Sequence, residues 1–202
     1  KNLPKENCKM IKFKKDQFLI LNKDKNKKKI KNFFKNIYSK SIILDRDGVI
    51  NENFGYISEI KNFKWINGSL KAIKSLKKKK QNIFVATNQS GVARGYYSEK
   101  KVQLLHEYIK DVLQKKNCYI NEFYYCPYHS KAKIKEYRKN SNLRKPKNGM
   151  FLEILKDWNI NKKNTFIIGD QLSDIEFAKN SKVKGYLFDK KNLFSFIKKF
   201  PL

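Results

Sequence analysis

From Ser41 onward, short apolar runs rich in β-branched and aromatic residues alternate with longer stretches at helical spacing. The runs are SIILD from Ser41, NIFVATN from Asn82 to Asn88, NEFYYCP from Asn121 to Pro127, TFIIGD from Thr165 to Asp170, and GYLFD. Between them, GSLKAIKSLKKKK (Gly68 to Lys80) puts Leu70, Ile73 and Leu76 on one helical face. SEKKVQLLHEYIKDVLQKK (Ser98 to Lys116) opens on a Ser N-cap and reads as a helix. GMFLEILKDW, a stretch from about Ser173, and the closing NLFSFIKKF read the same way. A polar loop leads to about Pro146. This alternation predicts an α/β, Rossmann-like three-layer fold, a central parallel sheet flanked by helices. In such sheets ligands bind beyond the carboxyl ends of the strands.

The 202 residues suit one domain with a proper core, and an aromatic share of 14% is ample for a packed interior. Residues 1–40 have a character of their own: two short apolar patches (Met10 to Phe13, Phe18 to Leu21), then a lysine-rich stretch. In that stretch Ile30, Phe33, Phe34 and Ile37 have helical spacing. An amphipathic helix on the main domain, the tail of an upstream fused domain and a solvated linker all fit. The α/β domain is expected over residues 41–202. No apolar run approaches the roughly 18–20 residues of a membrane span, and no signal peptide is evident. A cytoplasmic monomer is expected. Three irregularly spaced cysteines imply no disulfide framework.

Lys+Arg is 47 against Asp+Glu 18, a formal charge of +29. Arginine occurs only at Arg46, Arg94, Arg138 and Arg144, and the lysines are spread over the whole chain. Lysine, asparagine, isoleucine and phenylalanine are abundant together, as AT-rich codons would produce. Compositional drift therefore accounts for the charge better than nucleic-acid binding does.

The strand ends carry the chemistry. Asp45 and Asp47 follow the first run, Thr87 and Asn88 the second, and Asp170 the fourth, with Asp174 one helical turn on. Lys145 stands in an RKP tripeptide before a helix. Singly, each is an ordinary turn or cap. Together, carboxylates delivered to one rim of a sheet need a cation, and oxygen ligands suit Mg²⁺. A lysine and a hydroxyl-amide loop complete a phosphoryl pocket, in which a carboxylate can act as nucleophile.

The order DRDGV, TN, Lys145, GDQLSD resembles the haloacid dehalogenase superfamily of aspartate-nucleophile phosphatases, over Ser41 to about Leu187. That resemblance implies Asp45 as nucleophile and Asp47 as acid/base. It implies that Thr87 and Lys145 hold the phosphoryl group. Mg²⁺ would be bound by Asp45, the carbonyl of Asp47 and Asp170. DRDGVIN, Gly55-Tyr56, TNQSGVARG, YYCP and RKPKNGM further resemble the heptose bisphosphate phosphatase branch, whose caps are minimal. The branch implies substrate contacts from Asn53, Gly55, Tyr56, Asn88, Gln89, Ser90 and Arg144, the last suited by its planar fork to a second phosphate.

The chain departs from that branch in two places. Its zinc loop carries a Cys-x-His and a Cys-x-Cys pair. Here those positions read Cys126-Pro127-Tyr128, with His129 one place late, and Ser141-Asn142-Leu143. Structural zinc wants four ligands, so no zinc is expected. Gln171 stands where a lysine frequently follows the motif-four aspartate. Histidinol-phosphate phosphatases share DRDG and a TNQ loop. A polynucleotide 3′-phosphatase and a basic nucleic-acid-binding protein on the same fold are further readings, though the chain has no P-loop sequence.

Overall fold

The computed structural model describes residues 8–14, 17–22, 40–189 and 191–200. Strands β1 (Cys8–Lys14) and β2 (Gln17–Asn22) pair antiparallel, with a register shift between Lys12 and Lys14. The two apolar patches of the N-terminal region fall on this hairpin. The helical spacing at Ile30 to Ile37 lies outside the described residues.

The domain proper begins at β3 (Ser41–Leu44), followed by α1 (Ser69–Lys78), β4 (Asn82–Asn88), the short α2 (Gly91–Arg94) and α3 (Glu99–Lys115). Then come β5 (Glu122–Cys126), α4 (Gly149–Asp157), β6 (Thr165–Gly169), α5 (Leu172–Ser181), β7 (Lys184–Leu187) and α6 (Leu193–Lys198). The five strands from β3 onward form one parallel sheet in the order β5-β4-β3-β6-β7. The inner strands β3, β4 and β6 are buried almost throughout and read as apolar runs, because strands covered on both faces are apolar.

Side chains alternate across the sheet. Ile42, Leu44, Ile83, Val85 and Ile168 face a core completed by Ile73 and Leu76 of α1, Leu105, Ile109 and Leu113 of α3, and Phe196 of α6. Ile43, Phe84, Ala86 and Ile167 face the opposite core, with Met150, Phe151 and Ile154 of α4 and Phe177 of α5. These are the three expected layers. From β3 the chain steps to β4 on one side, and later returns to β6 on the other. The β3/β6 boundary is therefore the switch point where a crevice opens beyond the strand ends. The connection from β3 to α1 carries only a single 3₁₀ turn, Ile60–Asn62, so a loop stands where a cap domain could be inserted.

Candidate active site

The crevice is a cleft of about 290 Å³. Asp45 and Asp47 reach it from the turn after β3, Thr87 and Asn88 from the end of β4, and Asp170 and Asp174 from the β6–α5 junction. Lys145 reaches it from the loop before α4. Asn53, Gly55 and Tyr56 contribute from the long β3–α1 loop, and Ser90, Tyr97, Gln171 and Ser173 complete the lining.

Asp45 accepts a bond from the Arg46 amide at 2.8 Å, and Lys145 Nζ lies 2.9 Å from the same oxygen, Oδ1. Lys145 also pairs with Asp174 Oδ1 at 2.5 Å. Burial raises the Asp45 carboxyl to about 7; Lys145 opposes the rise, while Asp174 and Asp47 add to it. Lys145 is itself held above the ordinary lysine value, because the two carboxylates outweigh its burial. Its backbone is fixed by Asn88, whose Oδ1 accepts from the Lys145 amide (3.0 Å) and whose Nδ2 donates to the Lys145 carbonyl (3.1 Å). Asn88 therefore positions the lysine loop as well as lining the cleft.

Asp47 is held by several donors. Arg46 Nε and Nη2 donate to it at 2.9 to 3.1 Å, Asn51 Nδ2 at 2.9 Å and Gln89 Nε2 at 2.8 Å. Gln89 Nε2 also lies 3.0 Å from Thr87 Oγ1, and Tyr97 donates to Gln89 Oε1 at 2.9 Å. Gln89 is buried, at 1% exposure, and stands behind the cleft wall rather than on it. Arg144 also lies off the lining. It is half-buried, and its Nη1 donates to the Tyr128 carbonyl at 3.4 Å.

Sequence reasoning passed over Arg46, whose side chain is fully buried. Besides Asp47 it bonds the Ile57 carbonyl at 2.7 Å, and its Nη1 lies 3.2 Å from His106 Nε2. Arginine has no acceptor, so that histidine nitrogen accepts. Burial first, then the Arg46 charge, push His106 well below its usual value, consistent with the neutral ring this requires. A histidine on the apolar face of α3, between Leu105 and Ile109, was the available signal.

Asp45, Asp170 and Asp174 offer carboxylate oxygens within 4.8 Å of one another. A partly buried carboxylate cluster with one lysine fits a hard divalent cation. Glycines allow the crowding. A Cβ on Gly48 (φ +88°) would come within 2.2 Å of Asp170 Oδ2. One on Gly169 would come within 2.1 Å of Asp174.

At the positions of the branch's zinc loop, Cys126 Sγ lies 3.8 Å from the Tyr128 carbonyl, and His129 Nδ1 accepts from the Lys131 amide at 3.0 Å. Tyr128 and Leu143 pack against the same core as Cys126.

Comparison with known proteins points to one family. A family model described as HAD-hydrolase-like matches residues 142–190. The D-glycero-beta-D-manno-heptose-1,7-bisphosphate 7-phosphatase of Haemophilus influenzae is 40% identical over 146 residues, 72% of this chain and 79% of that protein. The protein of the same name from Rhodopseudomonas palustris is 38% identical over 155 residues, 77% and 86% of the two chains. Among solved structures, D,D-heptose 1,7-bisphosphate phosphatase from B. bronchiseptica, complexed with magnesium and phosphate, superposes with a TM-score of 0.68. Its identity is 26%, over 81% of this chain and 88% of that one. No helix among the described residues is long and apolar enough to cross a membrane.

Proposed function

Since the chain belongs to the haloacid dehalogenase-like phosphatases, and is a phosphoric monoester hydrolase, we propose that it removes the 7-phosphate of D-glycero-D-manno-heptose 1,7-bisphosphate. The observation that carries this reading is the meeting of Asp45, Lys145, Asp170 and Asp174 beyond the ends of β3 and β6, with Asp47 and Thr87 beside them. The substrate is read from the relatives' names together with the cleft lining.

Asp45 attacks phosphorus through Oδ2, because Arg46 and Lys145 both engage Oδ1. The P–O bond to the sugar breaks, and Asp47 gives its proton to the departing alkoxide. An aspartyl phosphate remains on Asp45. Asp47 then takes a proton from water, whose oxygen attacks phosphorus; phosphate leaves and the Asp45 carboxylate is restored. Arg46, Asn51 and Gln89 position the Asp47 carboxyl group, the acid of the first step and the base of the second. Thr87, oriented by Gln89, and Lys145 hold the equatorial oxygens. Mg²⁺ would be held by Asp45, Asp170 and the Asp47 carbonyl, with Asp174 beside them. When bound, it offsets the charge of the phosphoryl oxygens and the clustered carboxylates.

No zinc is needed in the 127–146 loop. Lys139 Nζ stands 3.6 Å from the Tyr128 ring centroid, the Tyr137 hydroxyl donates to Glu99 at 2.9 Å, and the Ile134 amide bonds the Ala93 carbonyl at 3.1 Å. Stoichiometric zinc in metal analysis of the purified protein would refute this.

The decisive experiment is a Mg²⁺-dependent phosphatase screen over heptose 1,7-bisphosphate, histidinol phosphate and 3′-phosphorylated DNA. Heptose bisphosphate should rank first by kcat/KM. Either other substrate in first place overturns the assignment.

A further inference from the structure

Two of the four arginines bond groups of the protein itself. Arg46 bonds Asp47, Gln89 and Ile57. Arg138 bonds the carbonyls of Ala132 at 2.8 Å and Lys133 at 3.4 Å. The other two, Arg94 and Arg144, have no carboxylate within ion-pair distance among the described residues.

Arg94 ends the short helix that begins just after Ser90, at the cleft wall. Its guanidinium carbon lies 5.8 Å from the centroid of the Tyr56 ring, which lines the cleft. Its Nε is buried and meets no hydrogen-bond partner. Arg144 immediately precedes Lys145, and among the described residues its side chain makes one hydrogen bond, the long one to the Tyr128 carbonyl. The two segments are tied together, since the Ala93 carbonyl accepts from the Ile134 amide in the loop that delivers Arg144. The two charges bear on one another: burial and then Arg94 lower Arg144, and burial, then Arg144 and Arg94, lower His129.

A pair of half-buried guanidinium groups with no counter-charge is costly unless an anion joins it. Tyr56 is held over Arg94 in a left-handed conformation (φ +49°) just after Gly55 (φ +85°). A non-glycine residue keeps such a backbone only where its surroundings impose it, and such residues gather at ligand sites. Tyr56 also packs edge-on against Tyr96, with centroids 4.7 Å apart. The site therefore has an aromatic wall, a planar cation beneath it and a second planar cation beside the catalytic lysine.

We propose that Arg94 is a specificity-determining residue: with Arg144 it clamps the phosphate that is not cleaved, at the outer edge of the cleft beneath Tyr56. This rests on the sugar-bisphosphate reading above. A planar fork can bond two oxygens of a phosphate dianion at once, whereas lysine offers a single charged point.

The test compares heptose 1,7-bisphosphate with heptose 7-phosphate, which keeps the scissile phosphate and lacks the other. In the parent protein kcat/KM should favour the bisphosphate. In Arg94→Gln that preference should shrink by at least about tenfold, chiefly through KM, as expected for losing a charged hydrogen-bond donor. Arg94→Lys should recover part of it. If the parent shows no preference, the bisphosphate reading itself fails and the clamp with it. If the parent prefers the bisphosphate and Arg94→Gln keeps that preference, only the assignment of Arg94 falls. Equal loss on both substrates would mean that Arg94 merely supports the fold, which also overturns the proposal.

Discussion

Asp45 bears the heaviest electrostatic load in the cleft. Its usual value of 3.8 is raised to about 7, chiefly by burial. A carboxyl that binds its proton more tightly when folded contributes stability that is complete below about pH 4. That contribution is lost as pH rises through about 7. A divalent cation binds the ionised form, so its stabilising effect should grow over the same window. Mg²⁺ should therefore raise Tm clearly at pH 8 and little at pH 5.5; equal shifts at the two pH values would argue against a site built on Asp45. Asp45→Asn should lower turnover by at least about a thousandfold. The same change should leave the metal-free Tm at pH 8 undiminished, since it removes a charge the buried site opposes. The pair Asp45–Asp47 was readable because two acids before a glycine at a strand end stand out. Arg46 was not, because an arginine between two aspartates looks like a solvated turn. Only the structure shows it turned inward, with Asp47, Gln89 and His106 around it.

Helix α3 and strand β6 hold the cleft from behind, and each offers a test. His106 on α3 lies against Phe123, ring centroids 4.6 Å apart, and accepts from Arg46. Burial, then Arg46 and Lys110, hold it well below 6.5. As pH falls below about 6.5 the unfolded chain gains a proton that the folded chain refuses, so stability falls. His106→Gln keeps an acceptor for Arg46 and removes the titration. Its Tm should decline less than the parent's between pH 7 and pH 5, measured by calorimetry at matched pH. A parallel decline would mean that His106 does not supply this dependence. At the end of β6, Gly169 lies so close to Asp174 that an added Cβ would meet it within 2.1 Å. Gly169→Ala should therefore displace Asp174 from Lys145, costing at least about tenfold in turnover and about 1–3 kcal/mol in stability. The strands themselves were legible as apolar runs. Their order was not, because parallel strands buried on both faces carry no pattern that names their neighbours. That β6 rather than β5 lies beside β3 is what brings Asp170 and Asp174 to Asp45. The strand-end rule could bring these acids to one rim of the sheet, but that β3 and β6 are neighbours was suggested only by the resemblance of the motifs to a known order.

At the scale of the whole molecule the open question is the charge of +29. Exposed pairs such as Lys61–Glu59 and Lys101–Glu59 share a single acid, and 18 acids cannot give each of 47 basic residues a partner of its own. Solvent screens surface pairs of this kind, so they contribute little. Composition could state the excess but not its placement. The structure puts Lys145 inside the cleft with Asp45 and Asp174, and at its edge Arg94 and Arg144, which meet no carboxylate among the described residues. If the chemistry depends on those few buried or half-buried cations, bulk salt should matter little, because contacts within a cleft are screened far less than exposed ones. Raising KCl from about 50 mM to about 500 mM should then lower kcat/KM for a sugar bisphosphate by only a few-fold. A protein using its lysine surface to hold a polynucleotide would release a counterion for each phosphate contacted. Over the same range it would lose several orders of magnitude in affinity. The two outcomes are far enough apart that one titration, run on heptose bisphosphate and on 3′-phosphorylated DNA, distinguishes a small-molecule phosphatase from a nucleic-acid enzyme.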